Sequence, residues 1–368
     1  MPRRTYPAHE GLRSRAASTS FPAAARRHCA RPAVDPRRRG PRKRRVRFVS
    51  VVAAIAGLAL IGVLVVYFGA DAVIRSLLAI GWAGFGTICL VHVVLIAVMG
   101  VAWWVLLPGT SLWISIWGRL VRDAGSELLP ISQVGGYLLG ARAIVFAGVP
   151  GSHAAASTIV DVTLEFLAQI AFTAFSLVWL VRLRPDAWIE VPVAIGLAVA
   201  IILAAGLLFA QRYGFDLFDR LAGTIGRNWA DRTAAGAAAL HAAIAGIYEG
   251  RAGVCTSFGL HLVCWIAATA EAWLALQFAG APLGLGTVLV IEGLVYAVRS
   301  VAFAVPNAIG VQEGAYILLG ESFGLTPEMA LALSLLKRAR DLVIGMPAFA
   351  AWQLLEGGRL WRHIPASE

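Results

Sequence analysis

Apolar and polar residues follow one another along this chain in long blocks. Five apolar blocks reach the length of about 20 residues that a helix needs to cross the hydrocarbon core of a bilayer. They cover residues 48–70, 82–107, 154–181, 191–210 and 255–279. The pattern therefore predicts a bundle of transmembrane helices.

Two connections between these blocks are rich in charge. Residues 108–125 contain Arg119, Arg122 and Asp123, and we predict a loop on the cytoplasmic side. Residues 211–251 mix arginine with acidic residues at helical spacing. We expect this second connection to form an amphipathic helix that lies on the cytoplasmic surface.

Two further apolar segments are interrupted by proline and glycine. Residues 126–150 contain Pro130 and form either a span or, as we prefer, a re-entrant hairpin. Residues 283–305 form a helix that ends at Pro306, where the backbone loses a hydrogen-bond donor. At membrane depth such breaks are tolerated only where protein or a wet cavity satisfies the freed backbone groups.

The segment after the second break begins a new helix. Thr326 is suited to cap it, with Pro327 at the first helical position and Glu328 at the second. We expect this helix to run to about residue 355, either as one tilted helix or as two short ones.

The two breaks resemble each other in layout. Pro130 and Pro150 are 20 residues apart, and Pro306 and Pro327 are 21 residues apart. Each break leads to a glycine, then a proline, then a helix that carries charges. The pattern predicts an internal repeat, with chance similarity between two segments of biased composition as the alternative. Paired breaks in two halves are typical of a transporter site near the bilayer midplane.

Composition supports an integral membrane protein of all-α class. The chain is 59% hydrophobic and 14% charged, with a mean hydropathy of +0.74, whereas soluble domains are about one quarter charged. The net charge of +11 comes from residues 1–47, which contain fifteen Lys or Arg and two acids. This basic tail predicts a cytoplasmic N-terminus and attraction to anionic lipid. A nucleic-acid-binding arm is the weaker alternative, and we expect no nucleic-acid partner.

These observations divide the chain into three parts, and the membrane part into two halves. We predict a disordered basic tail, a polytopic membrane domain and a short C-terminal tail, which cover residues 1–47, 48–356 and 357–368. Within the membrane domain, the halves cover about 48–210 and 252–356, on either side of the connection 211–251.

Charges within the apolar helices mark candidate substrate-binding residues, because an ionised side chain at membrane depth is costly without a partner or a function. Glu292 and Arg299 share one helix face, about 10 Å apart along the axis, so a polar group could fit between them. A network of charges that locks the fold is the alternative for these residues and Glu313. The complete set of candidates is Arg142, Asp161, Glu165, Glu292, Arg299, Pro306, Gly310, Gln312, Glu313, Arg338 and Arg340.

Several candidates also have a simpler interpretation. Asp161 and Glu165 could form a helix-end pair near the surface. Lys337 could pair with Asp341 within a cytoplasmic cluster of basic side chains that also includes Arg338 and Arg340. We expect the scattered histidines, His92, His153, His241 and His261, to be interior or interface residues and not metal ligands.

Motifs for catalysis are missing from the sequence. It contains no HExxH, no GxSxG and no Walker A loop. The four cysteines include no CxxC pair, so neither a disulfide framework nor a thiolate metal site is expected. We therefore predict no catalytic residues, no cofactor and no metal.

The second half resembles a known family. Residues 292–293, 299–300 and 310–314, followed by 332–340 and 352–353, are similar to the C-terminal half of HpnL-type membrane proteins. These belong to the superfamily of the lysylphosphatidylglycerol synthase/flippase transmembrane region. In the first half, residues 129–142 are similar to the first-half motif of that superfamily.

The resemblance implies a multi-pass protein of the bacterial inner membrane that is associated with hopanoid lipids or with movement of polar lipids. Implied partners are membrane lipids, namely anionic phospholipid or hopanoid, and enzymes of lipid biosynthesis. The synthase branch carries an aminoacyl-transferase domain after the membrane region, and we expect no aminoacyl-transferase activity from residues 1–368. Three functions stay open: a lipid translocase or transport component, which we favour, a membrane-embedded lipid-modifying enzyme, and a non-catalytic scaffold.

Overall fold

A computed structural model describes residues 70–129, 132–183, 227–302 and 305–362, with single positions at 63, 66 and among 191–209. The predicted basic tail, nearly all of the first span and eight of the twenty residues of block 191–210 lie outside the described residues. Within these ranges the regular structure is entirely helical, which confirms the all-α prediction. The helices are α1 (Ala70–Trp104), α2 (Leu112–Leu128), α3 (Ser132–Phe146), α4 (Gly151–Leu183), α5 (Arg227–Glu249), α6 (Arg251–Phe278), α7 (Leu285–Val301), α8 (Val311–Ser322) and α9 (Pro327–Arg362), with a 3₁₀ turn at Pro306–Ala308.

Three of the described helices are long and apolar enough to cross a membrane. They contain the segments Leu78–Trp104, Gly151–Leu183 and Arg251–Phe278, with mean hydropathies of 2.4, 1.8 and 1.5. Large apolar side chains such as Leu90, Val94 and Val263 point outward along them. Apolar surface of this extent is rare on monomeric soluble proteins and fits contact with lipid.

The helices occur in the same order twice. In α1–α4 and again in α6–α9, a long helix is followed by two short helices and a second long helix. The short helices have 17 and 15 residues in the first half and 17 and 12 in the second. At 1.5 Å per residue each is about 18–26 Å long, shorter than the ~30 Å hydrocarbon core.

In each half the two short helices pack against each other as a helical hairpin. The first hairpin therefore consists of α2 and α3, and the prediction of a loop over residues 108–125 is wrong. Its arginines suggested exposure, but Arg119 and Arg122 are 4% and 2% exposed, and both pair with carboxylates of α4. Our preferred prediction for residues 126–150 is a re-entrant hairpin. This segment contains the last residues of α2 and all of α3, so it covers the end of the first arm and the whole second arm of the hairpin.

The repeat extends to the backbone at the end of each hairpin. Gly148 and Gly324 both adopt left-handed conformations, with φ of 104° and 90°. Each precedes the start of a long helix by three residues, at Gly151 and Pro327. Glycine suits this position because it has no Cβ to clash there.

The predicted start of the last helix is correct. The Met329 backbone N–H donates to Thr326 Oγ1 at 3.3 Å, so Thr326 caps the helix that Pro327 begins. The helix continues as one element through Pro347 to Arg362, seven residues beyond the predicted end.

The last helix of each half packs against the other half. The long helices α1 and α6 pack against each other. Helix α4 of the first half packs against α6 and α7 of the second, and α9 of the second half packs against α1 and α2 of the first. Each hairpin is therefore held partly by the opposite half.

Candidate functional site

The first half contains a buried cluster of arginines and carboxylates between α2 and α4. Arg119 donates to both carboxylate oxygens of Glu165, at 2.8 and 3.0 Å. Arg122 donates to Asp161 at 2.6 Å and also pairs with Glu165. These bonds explain why charged side chains are stable inside an otherwise apolar bundle.

The second half contains a matching cluster around Glu292, which is fully buried. The ammonium group of Lys337 donates to Glu292 Oε2 at 2.5 Å, and the hydroxyl group of Tyr316 donates to Oε1 at 2.5 Å. Lys337 also lies 5.3 Å from the ring centre of Tyr296. The position that could have held a polar ligand between Glu292 and Arg299 is therefore occupied by the protein's own side chains.

Glu313 also makes contacts that stabilise the fold. Its Oε2 accepts the backbone N–H of Gly310 at 2.7 Å and so caps helix α8. Its Oε1 accepts bonds from Arg338 at 2.5 Å and Ser334 at 3.1 Å. The alternative of a structural network describes the contacts of Glu292 and Glu313 better than ligand binding does.

The helix break predicted at Pro306 is present, and it brings the two hairpins into contact. Asn307 and Ala308 have left-handed φ angles of 50° and 47°. Asn307 Nδ2 donates to Glu127, near the end of the first hairpin's first arm, and Asn307 Oδ1 accepts a bond from Arg299 at 3.2 Å. One side chain thereby links the turn of the second hairpin to that of the first.

A cavity of about 470 Å³ adjoins this contact. Both halves line it, and its wall includes the aromatic rings of Trp265 and Tyr296, which meet edge to face at 4.6 Å. The charged lining residues are Arg119, Arg122, Asp123, Glu127, Glu165, Arg299, Arg340 and Asp341. A cavity with equal numbers of cations and anions can hold a polar group with charges of both signs.

Sequence reasoning identified some of these residues and missed others. Of the predicted candidates, Glu165, Arg299 and Arg340 line the cavity. Five other candidates do not line the cavity and bond to groups elsewhere in the bundle: Asp161, Glu292, Gln312, Glu313 and Arg338. Pro306 and Gly310 lie at the helix break. Arg142, 59% exposed, pairs with Glu356 away from the cavity.

Two of the simpler interpretations are wrong. Asp161 is fully buried, so it is not part of a pair near the surface. Lys337 pairs with Glu292, while Asp341 pairs with Arg340 at 2.6 Å. The missed residues include Arg119, Arg122 and Ser126, whose three- and four-residue spacing would have placed them on one buried helix face.

The fold and cavity define a polytopic helical membrane protein with a buried polar site between two similar halves. The family model for the lysylphosphatidylglycerol synthase TM region matches residues 54–348, so the chain belongs to this family. Membership supports a membrane location and a function related to membrane lipids. A comparison with curated proteins and another with solved structures gave no match.

Proposed function

We propose that the protein is a lipid translocase, or the transport component of a larger system, in the bacterial inner membrane. The cavity between the halves would accept the lipid headgroup. The observation that carries this proposal is the bridge from Arg299 through Asn307 to Glu127, because it joins the two hairpin turns beside the cavity.

Arg299 is the residue best placed to receive an anionic headgroup. Among the described residues, the nearest carboxylate oxygen belongs to Glu127 and lies 4.0 Å from the guanidinium group of Arg299. The other arginines of the described cavity wall each have a carboxylate oxygen within 2.8 Å. Since Arg299 is also 22% exposed, a phosphate could approach it without breaking a close ion pair.

The ion pairs also favour relative movement of the two halves. Arg119 and Arg122 are balanced by Asp161 and Glu165 within the first half. Lys337 and Arg338 are likewise balanced by Glu292 and Glu313 within the second. A small displacement of one half against the other would leave these strong pairs intact, as access alternating between the two membrane faces requires.

The finer parts of the proposal rest on resemblance and charge. The resemblance to HpnL-type proteins favours hopanoids or anionic phospholipids as cargo and lipid-biosynthesis enzymes as partners. The basic segment before residue 48 favours a cytoplasmic N-terminus. The proposal includes no catalytic step and no cofactor.

Lipid movement in reconstituted vesicles tests the proposal. Labelled phosphatidylglycerol in vesicles of phosphatidylglycerol and phosphatidylethanolamine should change leaflet faster with the protein present. Arg299→Gln should slow this at least about tenfold, the equivalent of about 1.4 kcal/mol in barrier height. Arg182→Gln, which neutralises an exposed arginine outside the cavity wall, is the matched control.

Equal rates for Arg299→Gln and the wild type would contradict the assigned role of Arg299. Lipid mass spectrometry of a deletion strain separates transport from modification. Unchanged lipid species with an altered leaflet distribution support transport, whereas a missing lipid product supports the enzyme. Normal species with a normal distribution would support the scaffold.

A further inference from the structure

His92 lies between two carboxylates at the contact of the two halves. Its Nδ1 is 3.0 Å from Glu271 Oε2 on α6, and its Nε2 is 3.7 Å from Asp341 Oδ1 on α9. The ring belongs to α1 of the first half, whereas both carboxylates belong to the second. His92 and Asp341 also line the cavity, and the imidazole is 25% exposed.

The two distances match an imidazole that carries a single proton. A neutral histidine has one N–H donor, whereas both neighbours are carboxylates that only accept. The bond to Glu271 at 3.0 Å can use that donor. The 3.7 Å separation from Asp341 exceeds a hydrogen bond, as expected when an unprotonated nitrogen faces a carboxylate.

The charges around the ring leave room for one more proton. Arg340 pairs with both Glu271 and Asp341, so these three groups carry one excess negative charge. A protonated His92 would make the cluster neutral. Of the next charges, Lys337 of α9 is paired with Glu292. Asp123 of α2 shares Arg119 with Glu165, so it is not fully balanced and adds negative charge near the ring.

We propose that His92, with Glu271, Arg340 and Asp341, forms a proton-binding site that couples lipid movement to proton uptake. The proton binds at Nε2, and the new N–H donates to Asp341, which draws α1 towards α9. Loss of the proton removes this bond and loosens the contact between α1 and α9, while the bond to Glu271 of α6 remains. The coupling part of this inference rests on the proposed translocase function, whereas proton binding does not.

The first test measures proton binding directly and needs no transport. Ring-nitrogen NMR of the full chain in phosphatidylglycerol nanodiscs, titrated between about pH 3 and pH 8, should show one histidine signal that titrates and is absent from His92→Gln. Asp341→Asn should move the titration midpoint to lower pH, because the remaining cluster is neutral without the proton. His153→Gln, at an exposed histidine, should leave the signal in place. If no signal assigned to His92 titrates in this range, the site is overturned.

The second test measures coupling by the ratio of lipid-movement rates with and without a pH gradient across the vesicle. For the wild type and His153→Gln, the rates with and without the gradient should differ several-fold. For His92→Gln, the two rates should be equal, whatever its basal rate. Lipid movement that ignores the gradient in the wild type would overturn coupling and leave the translocase standing. No lipid movement under any gradient would instead overturn the proposed function and the coupling with it, while the NMR titration still decides the site.

Discussion

Arg119 and Glu292 occupy the same position in the two halves and carry opposite charges. Each is the eighth residue of the 17-residue helix that opens a hairpin. Each is buried and pairs with the long helix that closes its own half, Arg119 with Glu165 of α4 and Glu292 with Lys337 of α9. The repeat therefore conserves the position of a buried charge and inverts its sign.

This inversion bears on how the halves can move. A buried charge needs a partner of opposite sign, but either sign satisfies that requirement. Each half balances its own strong pairs, so these pairs need not break when the halves move. The described polar contacts that do cross between the halves include those of His92, His261, Glu127, Gln169, Trp265 and Arg142. These crossing contacts are the natural places to test movement.

Glu292→Gln should destabilise the protein by about 3–5 kcal/mol, because it leaves Lys337 buried without a counter-charge. Thermal unfolding in detergent measures the change, with Glu321→Gln on the exposed surface as control. The double variant with Lys337→Met should recover part of the loss, since it removes both charges. Unaltered stability of Glu292→Gln would show that the pair does not support the fold.

Gly136→Ala should loosen the first hairpin. A Cβ at Gly136 would collide with backbone atoms of Arg122 and Ser126 on the opposite arm. Such overpacking costs about 1–3 kcal/mol. Gly86→Ala is the control, because a Cβ there meets no neighbour and alanine favours a helix by up to about 1 kcal/mol. If both variants unfold at the same temperature, close contact of the arms is not required.

Two substitutions of Asn307 should distinguish the role of the backbone at the helix break from the role of the side-chain bridge. Asn307→Gly tolerates the φ of 50° and removes the bonds to Glu127 and Arg299. We expect a folded protein that moves lipid at least about tenfold more slowly, or about 1.4 kcal/mol in barrier. Asn307→Val should instead cost about 1–3 kcal/mol of stability from backbone strain. Normal lipid movement by the glycine variant would exclude a role for the bridge.

Arg142→Gln should have little effect on stability. The guanidinium group is 59% exposed, and exposed ion pairs contribute about 0–1 kcal/mol. Thermal unfolding of Arg142→Gln, Glu356→Gln and the double variant gives the coupling energy between the two residues. A coupling energy well above about 1 kcal/mol would mean that this pair holds the two halves together.

The sequence by itself determined the features that depend on local chemistry. Apolar block length predicted the spans at α1, α4 and α6, because the thickness of the bilayer sets the length of a spanning helix. Pro306 predicted the break, and Thr326 with Pro327 predicted the start of α9, because both effects act within a few residues.

Only the tertiary structure decided which charges meet and which face the cavity. Arg119 and Arg122 indicated an exposed loop, yet α4 supplies their partners about 40 residues later in the chain. Glu292 and Arg299 share a helix face, but Lys337 of α9 neutralises the first and leaves the second beside the cavity. A charged side chain has the same local sequence signal whether its partner is water or a distant helix, so its role depends on packing between segments far apart in the chain.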